Sequence, residues 1–158
     1  MYIRELYVDE LDLCEPFGKA FHAEKIIPDE FSLTEFISNW ENFYRQGIGV
    51  IFGLFDEEDV LIGGIGGILA KDLTSGTLAM NELFWYVQKD KRHSTGRWPL
   101  RLVQRLAVWG SLRRAKQLRM VHLLTKGENY KDQQIAEIYT KILHLKPIEV
   151  AFLGPIGV

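Results

Sequence analysis

Between Asp90 and Glu128 the chain has no acidic residue, and that stretch opens with a turn, Lys91-Arg92-His93-Ser94-Thr95-Gly96-Arg97, just ahead of Trp98 and Pro99. A strand that empties through Arg, Ser, Thr and Gly into a helix start is suited to holding phosphate. Backbone N–H groups, the positive end of the helix dipole and fixed cations all converge there. Pro99 fits the first turn of such a helix, because the N–H it lacks would have no partner anyway. The turn offers N–H donors from Arg92 to Trp98, with Lys91, Arg92 and Arg97 as cations. His93 reads either as one more phosphate contact or as a surface histidine. Arginine is the better cation here because its planar fork matches phosphate oxygens. Contacts of this charge-assisted kind contribute about 1.5–3 kcal/mol each. The turn therefore reads as a diphosphate site, with a solvated loop as the plain alternative.

A second chemical group lies just upstream. Glu82 stands near the middle of the apolar run Leu78–Val87. Burial would raise its pKa toward neutrality, where a carboxylate works as a general base. A structural carboxylate, paired with an arginine or facing solvent, is the other reading. His22, His122 and His144 are not spaced as ligands with any carboxylate, so no metal site is expected.

These groups need elements to carry them. Ile3–Val8 reads as a strand and Leu11–Glu24 as an amphipathic helix with Leu13, Phe17, Ala20 and Phe21 at helical spacing. Ser32-Leu33-Thr34-Glu35 is a capping box that starts a helix over about 33–46, closed by Gly47. Ile48–Phe55, Val60–Ala70 and Leu78–Val87 form a meander, and glycines 63, 64, 66 and 67 suggest a bulge or a close backbone approach. A helix from about Pro99 to Ala115 follows, then a strand Met120–Thr125, a helix Lys131–Leu143 and a last strand Ile148–Leu153. The order βααβββαβαβ predicts an α/β (α+β) fold over residues 1–158 as one domain. Its sheet is mixed and mostly antiparallel, with helices on both faces and a right-handed parallel β-α-β crossover through 78–125.

Composition narrows the class. The 158 residues are 47% hydrophobic and 25% charged, which suits a globular chain and not a disordered one. No apolar run is long enough to span a bilayer, so no membrane partner is expected. One cysteine, Cys14, excludes an internal disulfide, and together with an N-terminus unlike a signal peptide it suggests the cytoplasm. Residues 1–59 hold 14 acidic and 4 basic side chains, whereas residues 91–126 hold 10 basic and none acidic. That polarity suits an anionic ligand, a nucleic acid or a homodimer contact, and the acidic half suits a cationic amine or a basic peptide.

Two segments resemble the GNAT superfamily of acyl-CoA N-acyltransferases. Glu82-Leu83-Phe84-Trp85-Tyr86-Val87 with the basic turn is similar to that family's fourth strand and pyrophosphate loop. The family loop runs Arg/Gln-x-x-Gly-x-Gly/Ala; here it is Lys91-x-x-Ser94-x-Gly96. Ile135–Leu143 is similar to the segment xxLYxKxGF, with Leu143-His144-Leu145 where the Gly-Phe would stand. Arginine-rich loop heads occur in phage-encoded members. The resemblance implies acetyl transfer from acetyl-CoA to a primary amine by direct attack, with a small molecule or a protein as acceptor. It implies Glu82 as base and Tyr139 as the acid that serves the leaving thiolate. It implies that the backbone of Trp85 and Val87 pairs with the pantetheine arm of coenzyme A, and it puts Tyr86 and Thr125 among the cofactor-binding residues.

Two other readings stay beside it. One is a GNAT-like coenzyme A- or protein-binding module that has lost the chemistry. The other is a nucleic-acid-binding protein using residues 91–126. Against the latter, Arg97, Arg101 and Arg105 recur every four residues with no aromatic interleaving for stacking on bases, so the stripe reads as a solvated helix face.

Overall fold

The computed structural model describes residues 1–24, 30–121 and 134–147. The chain falls into two compact units, Met1–Val121 and His122–Val158.

The first unit is built on a sheet of five strands in the order β1 (Tyr2–Glu5), β2 (Gly49–Phe55), β3 (Leu61–Lys71), β4 (Leu78–Val87) and β5 (Gln117–Arg119). The first four pair antiparallel in succession, and β5 pairs parallel to β4. Short turns make the meander possible. At the β2–β3 turn the Asp56 carboxylate accepts the N–H groups of Glu58 and Val60, both at 3.0 Å. At the β3–β4 turn Asp72 does the same for Thr74 and Ser75. Helices α1 (Glu15–Glu24) and α2 (Leu33–Arg45) cover one face, and α3 (Trp98–Leu112) covers the other. The run β4-α3-β5 is the parallel crossover that the sequence predicts. No helix among the described residues is long and apolar enough to cross a membrane.

The first core layer joins Leu6, Leu11, Phe17, Trp40, Ile51, Phe84 and Tyr86 beneath α1 and α2. The second places Leu102, Val103 and Leu106 of α3 against the sheet, with Met80 pressed close to Gly110. Burying side chains of this size stabilises by about 1.5–3 kcal/mol each. α2 begins where expected: the Ser32 hydroxyl accepts the Glu35 N–H, and Gly47 at φ +67 closes the helix. Cys14 is fully buried as part of the core.

Three elements differ from the sequence reading. The first strand, expected over Ile3–Val8, ends at Glu5, and Val8 opens a 3-10 helix. The amphipathic stretch Leu11–Glu24 is not one helix: Val8–Cys14 forms a 3-10 helix, and the α-helix starts only at Glu15. Pro16 explains the break, since it lacks an N–H and is tolerated only in a first turn. Leu13 is consequently 43% exposed, while Leu11 and Cys14 turn inward. The strand that pairs with β4 lies at Gln117–Arg119, ahead of the one expected at Met120–Thr125; Met120 and Val121 are not in a strand, and His122–Thr125 lie outside the described residues. Lys116 already donates its N–H to the Leu78 carbonyl at 2.8 Å, so pairing follows directly from the end of α3. Apolar periodicity missed this because the strand is polar; its Arg119 bonds Asp72 at 2.9 Å.

In the second unit, the described part of the helix expected at Lys131–Leu143 contains a π-helical turn over Ile138–Ile142, closed by the Leu143 N–H on the Ile138 carbonyl at 2.9 Å. The strand expected at Ile148–Leu153, and Thr125, lie outside the described residues.

Candidate functional site

Strand β4 positions the chemistry, and a bulge decides how. Gly66 of β3 pairs with Phe84, but the next residue, Gly67, pairs with Glu82, so Leu83 is an extra residue on β4. Consecutive residues of β3 face opposite sides of the sheet. A Cβ on Gly66 would meet Trp40 and Phe84, whereas one on Gly67 would meet Met80 and Leu106. The bulge therefore puts Glu82 on the α3 side, although Phe84 and Tyr86 two and four residues later face α1 and α2. Leu83 itself points outward, 43% exposed.

Glu82 is 3% exposed. Its Oε2 accepts the Val121 N–H at 2.9 Å, just past the end of β5. Burial pushes its pKa up to about 7, against the smaller opposing effect of that hydrogen bond.

The backbone of β4 beyond Glu82 follows from the ladder. Gln88 donates to the Ile62 carbonyl, which makes Gln88–Ile62 a hydrogen-bonded pair. In an antiparallel ladder such pairs alternate. Tyr86 and Gly64 thus exchange bonds, while the N–H and C=O groups of Trp85 and Val87 point away from β3, toward the β5 side. The Val87 carbonyl accepts from Arg92 Nε at 2.8 Å.

The turn Lys91–Arg97 joins β4 to α3 in the same unit. Ser94 donates both its N–H and its hydroxyl to the Lys91 carbonyl, and the Trp98 N–H bonds the Thr95 carbonyl. The donor row expected from Arg92 to Trp98 is thus not complete: Ser94 and Trp98 are spent inside the turn. The N–H groups of Arg92, His93, Thr95, Gly96 and Arg97 make no hydrogen bond to any described residue. Thr95, 1% exposed, ties the turn together by donating its hydroxyl to the Arg92 carbonyl at 2.9 Å. Gly96 sits at φ +52 with open space where a Cβ would be, a conformation that glycine adopts without strain.

The cations divide. Arg92 is not directed outward: Nη2 contacts Glu24 at 2.8 Å, and the guanidinium lies 5.0 Å from the Tyr86 ring centre. Lys91 lies 3.6 Å from Asp56. His93 and Arg97 are exposed. An open depression of about 490 Å³ is lined by residues 94–98 with Arg101, Met1 and Glu57. Arg101, stacked 4.4 Å from the Trp98 ring centre, joins the loop as a further cation. Its place one turn into α3 was visible in the Arg97-Arg101-Arg105 spacing; Glu24, distant in sequence, carried no signal. Tyr139 lies in the second unit, on the π-helical turn.

Neither the protein-family models nor the curated proteins give a match to this chain. Solved structures do. Glucosamine-6-phosphate N-acetyltransferase from Arabidopsis thaliana is similar at 12% identity and TM-score 0.69, covering 99% of this chain and 98% of its own. Aminoglycoside 6'-N-acetyltransferase AAC(6')-IG from Acinetobacter haemolyticus is similar at 12% identity and TM-score 0.68, with 100% and 99% covered. AAC(6')-Iy, solved with the bisubstrate analogue CoA-S-monomethyl-acetylneamine, is similar at 14% identity and TM-score 0.71, with 99% and 98% covered. The fold is thus one shared with N-acetyltransferases. It is the GNAT fold, as the resemblance of β4 and its turn implies.

Proposed function

We propose that this protein transfers an acetyl group from acetyl-CoA to a primary amine by direct attack, both units acting as one GNAT acyltransferase domain. The observation that carries the reading is Glu82: a buried carboxylate with a pKa near 7, five residues before the end of the strand that leads through a donor-rich turn into a helix start. A base that titrates near neutrality can take the ammonium proton of an amine and hold it. The N–H groups of His93, Thr95, Gly96 and Arg97, with the side chains of Arg97 and Arg101, would hold the diphosphate. Trp85 and Val87 would offer backbone groups to the pantetheine arm, beside Tyr86. Tyr139 would protonate the leaving thiolate, and Thr125 would complete the cofactor-binding set. Holding amine and thioester together supplies much of the acceleration, so no covalent intermediate is needed. The acceptor is a small-molecule or protein amine, and the acidic N-terminal half favours a cationic one.

The test joins binding to turnover. Acetyl-CoA should raise the melting temperature, since a ligand at a hundredfold excess over Kd adds about 2.7 kcal/mol of apparent stability. Arg97→Ala/Arg101→Ala should abolish that shift. Thiol release across an amine panel should then fall in Glu82→Gln and Tyr139→Phe while the melting shift stays. No shift with the wild type would overturn the reading.

A second reading is a coenzyme-binding module without turnover, since Ser94 stands where the family loop has its first glycine and Leu143-His144-Leu145 where the family has Gly-Phe. A melting shift with no thiol release from any amine would select it.

A further inference from the structure

The loop head is tied to α1 by a carboxylate that lies far from it in sequence. Glu24 is the last residue of α1, where a negative charge faces the negative end of the helix dipole. It is compensated there by two donors from elsewhere. One oxygen accepts the Tyr86 hydroxyl, and the other lies 2.8 Å from Arg92 Nη2. Burial, with Glu24 adding to it, raises the Tyr86 pKa above its ordinary value, so the hydroxyl remains a donor. The Tyr86 ring in turn packs edge-on against Phe21 of α1, 5.7 Å between centres.

Arg92 is therefore held on three sides: by Glu24, by the Tyr86 ring and by the Val87 carbonyl. Its own carbonyl accepts the buried Thr95 hydroxyl. A continuous chain runs from Glu24 through the Arg92 side chain and backbone to Thr95. The N–H groups of the turn without a partner among the described residues, those of Arg92, His93, Thr95, Gly96 and Arg97, lie within or directly after the segment that this chain fixes. Through Nε and Nη2 the guanidinium ties the loop head to β4 and to α1.

We propose that Glu24 is a positioning residue for the loop Lys91–Arg97, acting through Arg92 and Tyr86, so that coenzyme affinity depends on a carboxylate that does not touch the coenzyme. This rests on the reading that the loop holds the diphosphate of coenzyme A.

The experiment measures coenzyme A binding by calorimetry and backbone amide exchange over residues 92–97. Its proteins are the wild type, Glu24→Gln, Arg92→Ala and the double variant. Glu24→Gln is expected to weaken binding about tenfold, within the range for coupled neighbours. Arg92→Ala should lose a similar amount, and the double variant no more than either single. Amide exchange at 92–97 should rise in Glu24→Gln without ligand, and KM for acetyl-CoA should rise more than kcat falls. A structural role alone would move global stability without this non-additivity. Unchanged affinity and exchange in Glu24→Gln would overturn the inference, and so would additive losses. A much larger loss in Arg92→Ala than in Glu24→Gln would show Arg92 meeting phosphate directly, and would overturn it too. A wild type with no affinity for coenzyme A is a different failure: it overturns the reading of the site, and with it the coenzyme role given to Glu24.

Discussion

Glu82 carries a cost that a pH series can read. Its carboxyl titrates near 7 in the folded chain and near 4.5 when unfolded. Between those values the folded state holds more protons than the unfolded one, so stability falls as pH rises from about 4.5 to about 7 and levels off above. A shift of that size corresponds to about 3 kcal/mol, at 1.36 kcal/mol per unit. Urea unfolding of the wild type should show this decline. Glu82→Gln keeps an acceptor for the Val121 N–H but cannot ionise, so its stability should lack the decline. Parallel pH profiles in the two proteins would contradict the burial argument. On the proposed base role, the same group acts on activity with the opposite sign: kcat/KM should climb through an apparent pKa near 7 as the carboxyl loses its proton, and Glu82→Gln should flatten that limb.

At the scale of elements, the bulge in β4 puts Glu82 on the face opposite Phe84 and Tyr86. Were Leu83 an ordinary paired residue of the ladder, Glu82 and Phe84 would share a face, and the carboxylate would point into the aromatic layer under α1 and α2. The close pairing at Gly66 keeps that arrangement: a Cβ there would lie 2.4 Å from Phe84 and 2.8 Å from Trp40. Gly66→Ala should therefore destabilise by about 1–3 kcal/mol through overpacking of two rings. A melting temperature equal to wild type would contradict this. Gly96→Ala should act differently, through backbone strain of about 1–2 kcal/mol at positive φ, with Gly96→Asn milder. The glycines of β3 announced a bulge or a close approach, and both occur. The limits of β4 and the capping of α2 were legible too, because each depends on residues adjacent in sequence. The Glu24 clasp was not, since it joins positions 24, 86 and 92 through the fold. Nor was the loss of Ser94 and Trp98 as donors, which depends on how tightly the turn winds. The start of β5 was hidden because pairing with β4, and not apolar content, places it.

For the whole molecule, charge separation becomes a spatial argument within the first unit. The acidic helices α1 and α2 lie on one side of the sheet, and α3 on the other. Arg101 and Arg105 are exposed along α3, with Arg113 and Arg114 exposed just past its end. A field of this kind raises the local concentration of any anion, so attraction alone does not separate a coenzyme from a nucleic acid. Salt dependence does. Single-stranded nucleic acid releases about 0.7 counterion for each phosphate contacted, so a strand lying along the α3 arginines would bind with a steep loss of affinity between about 50 and 200 mM salt. Coenzyme A carries few phosphates and engages one loop, so its affinity should decline shallowly. Arg105→Glu/Arg114→Glu should leave coenzyme binding nearly unchanged, because neither residue lines the depression at residues 94–98. The same pair should sharply weaken any oligonucleotide. Fluorescence anisotropy with a labelled oligonucleotide, beside calorimetry with coenzyme A over the same salt series, checks this. A shallow coenzyme slope untouched by the α3 pair would place recognition at the loop. A steep oligonucleotide slope abolished by that pair, with no coenzyme binding at any salt, would mean that α3 is the working surface and Glu82 a structural carboxylate.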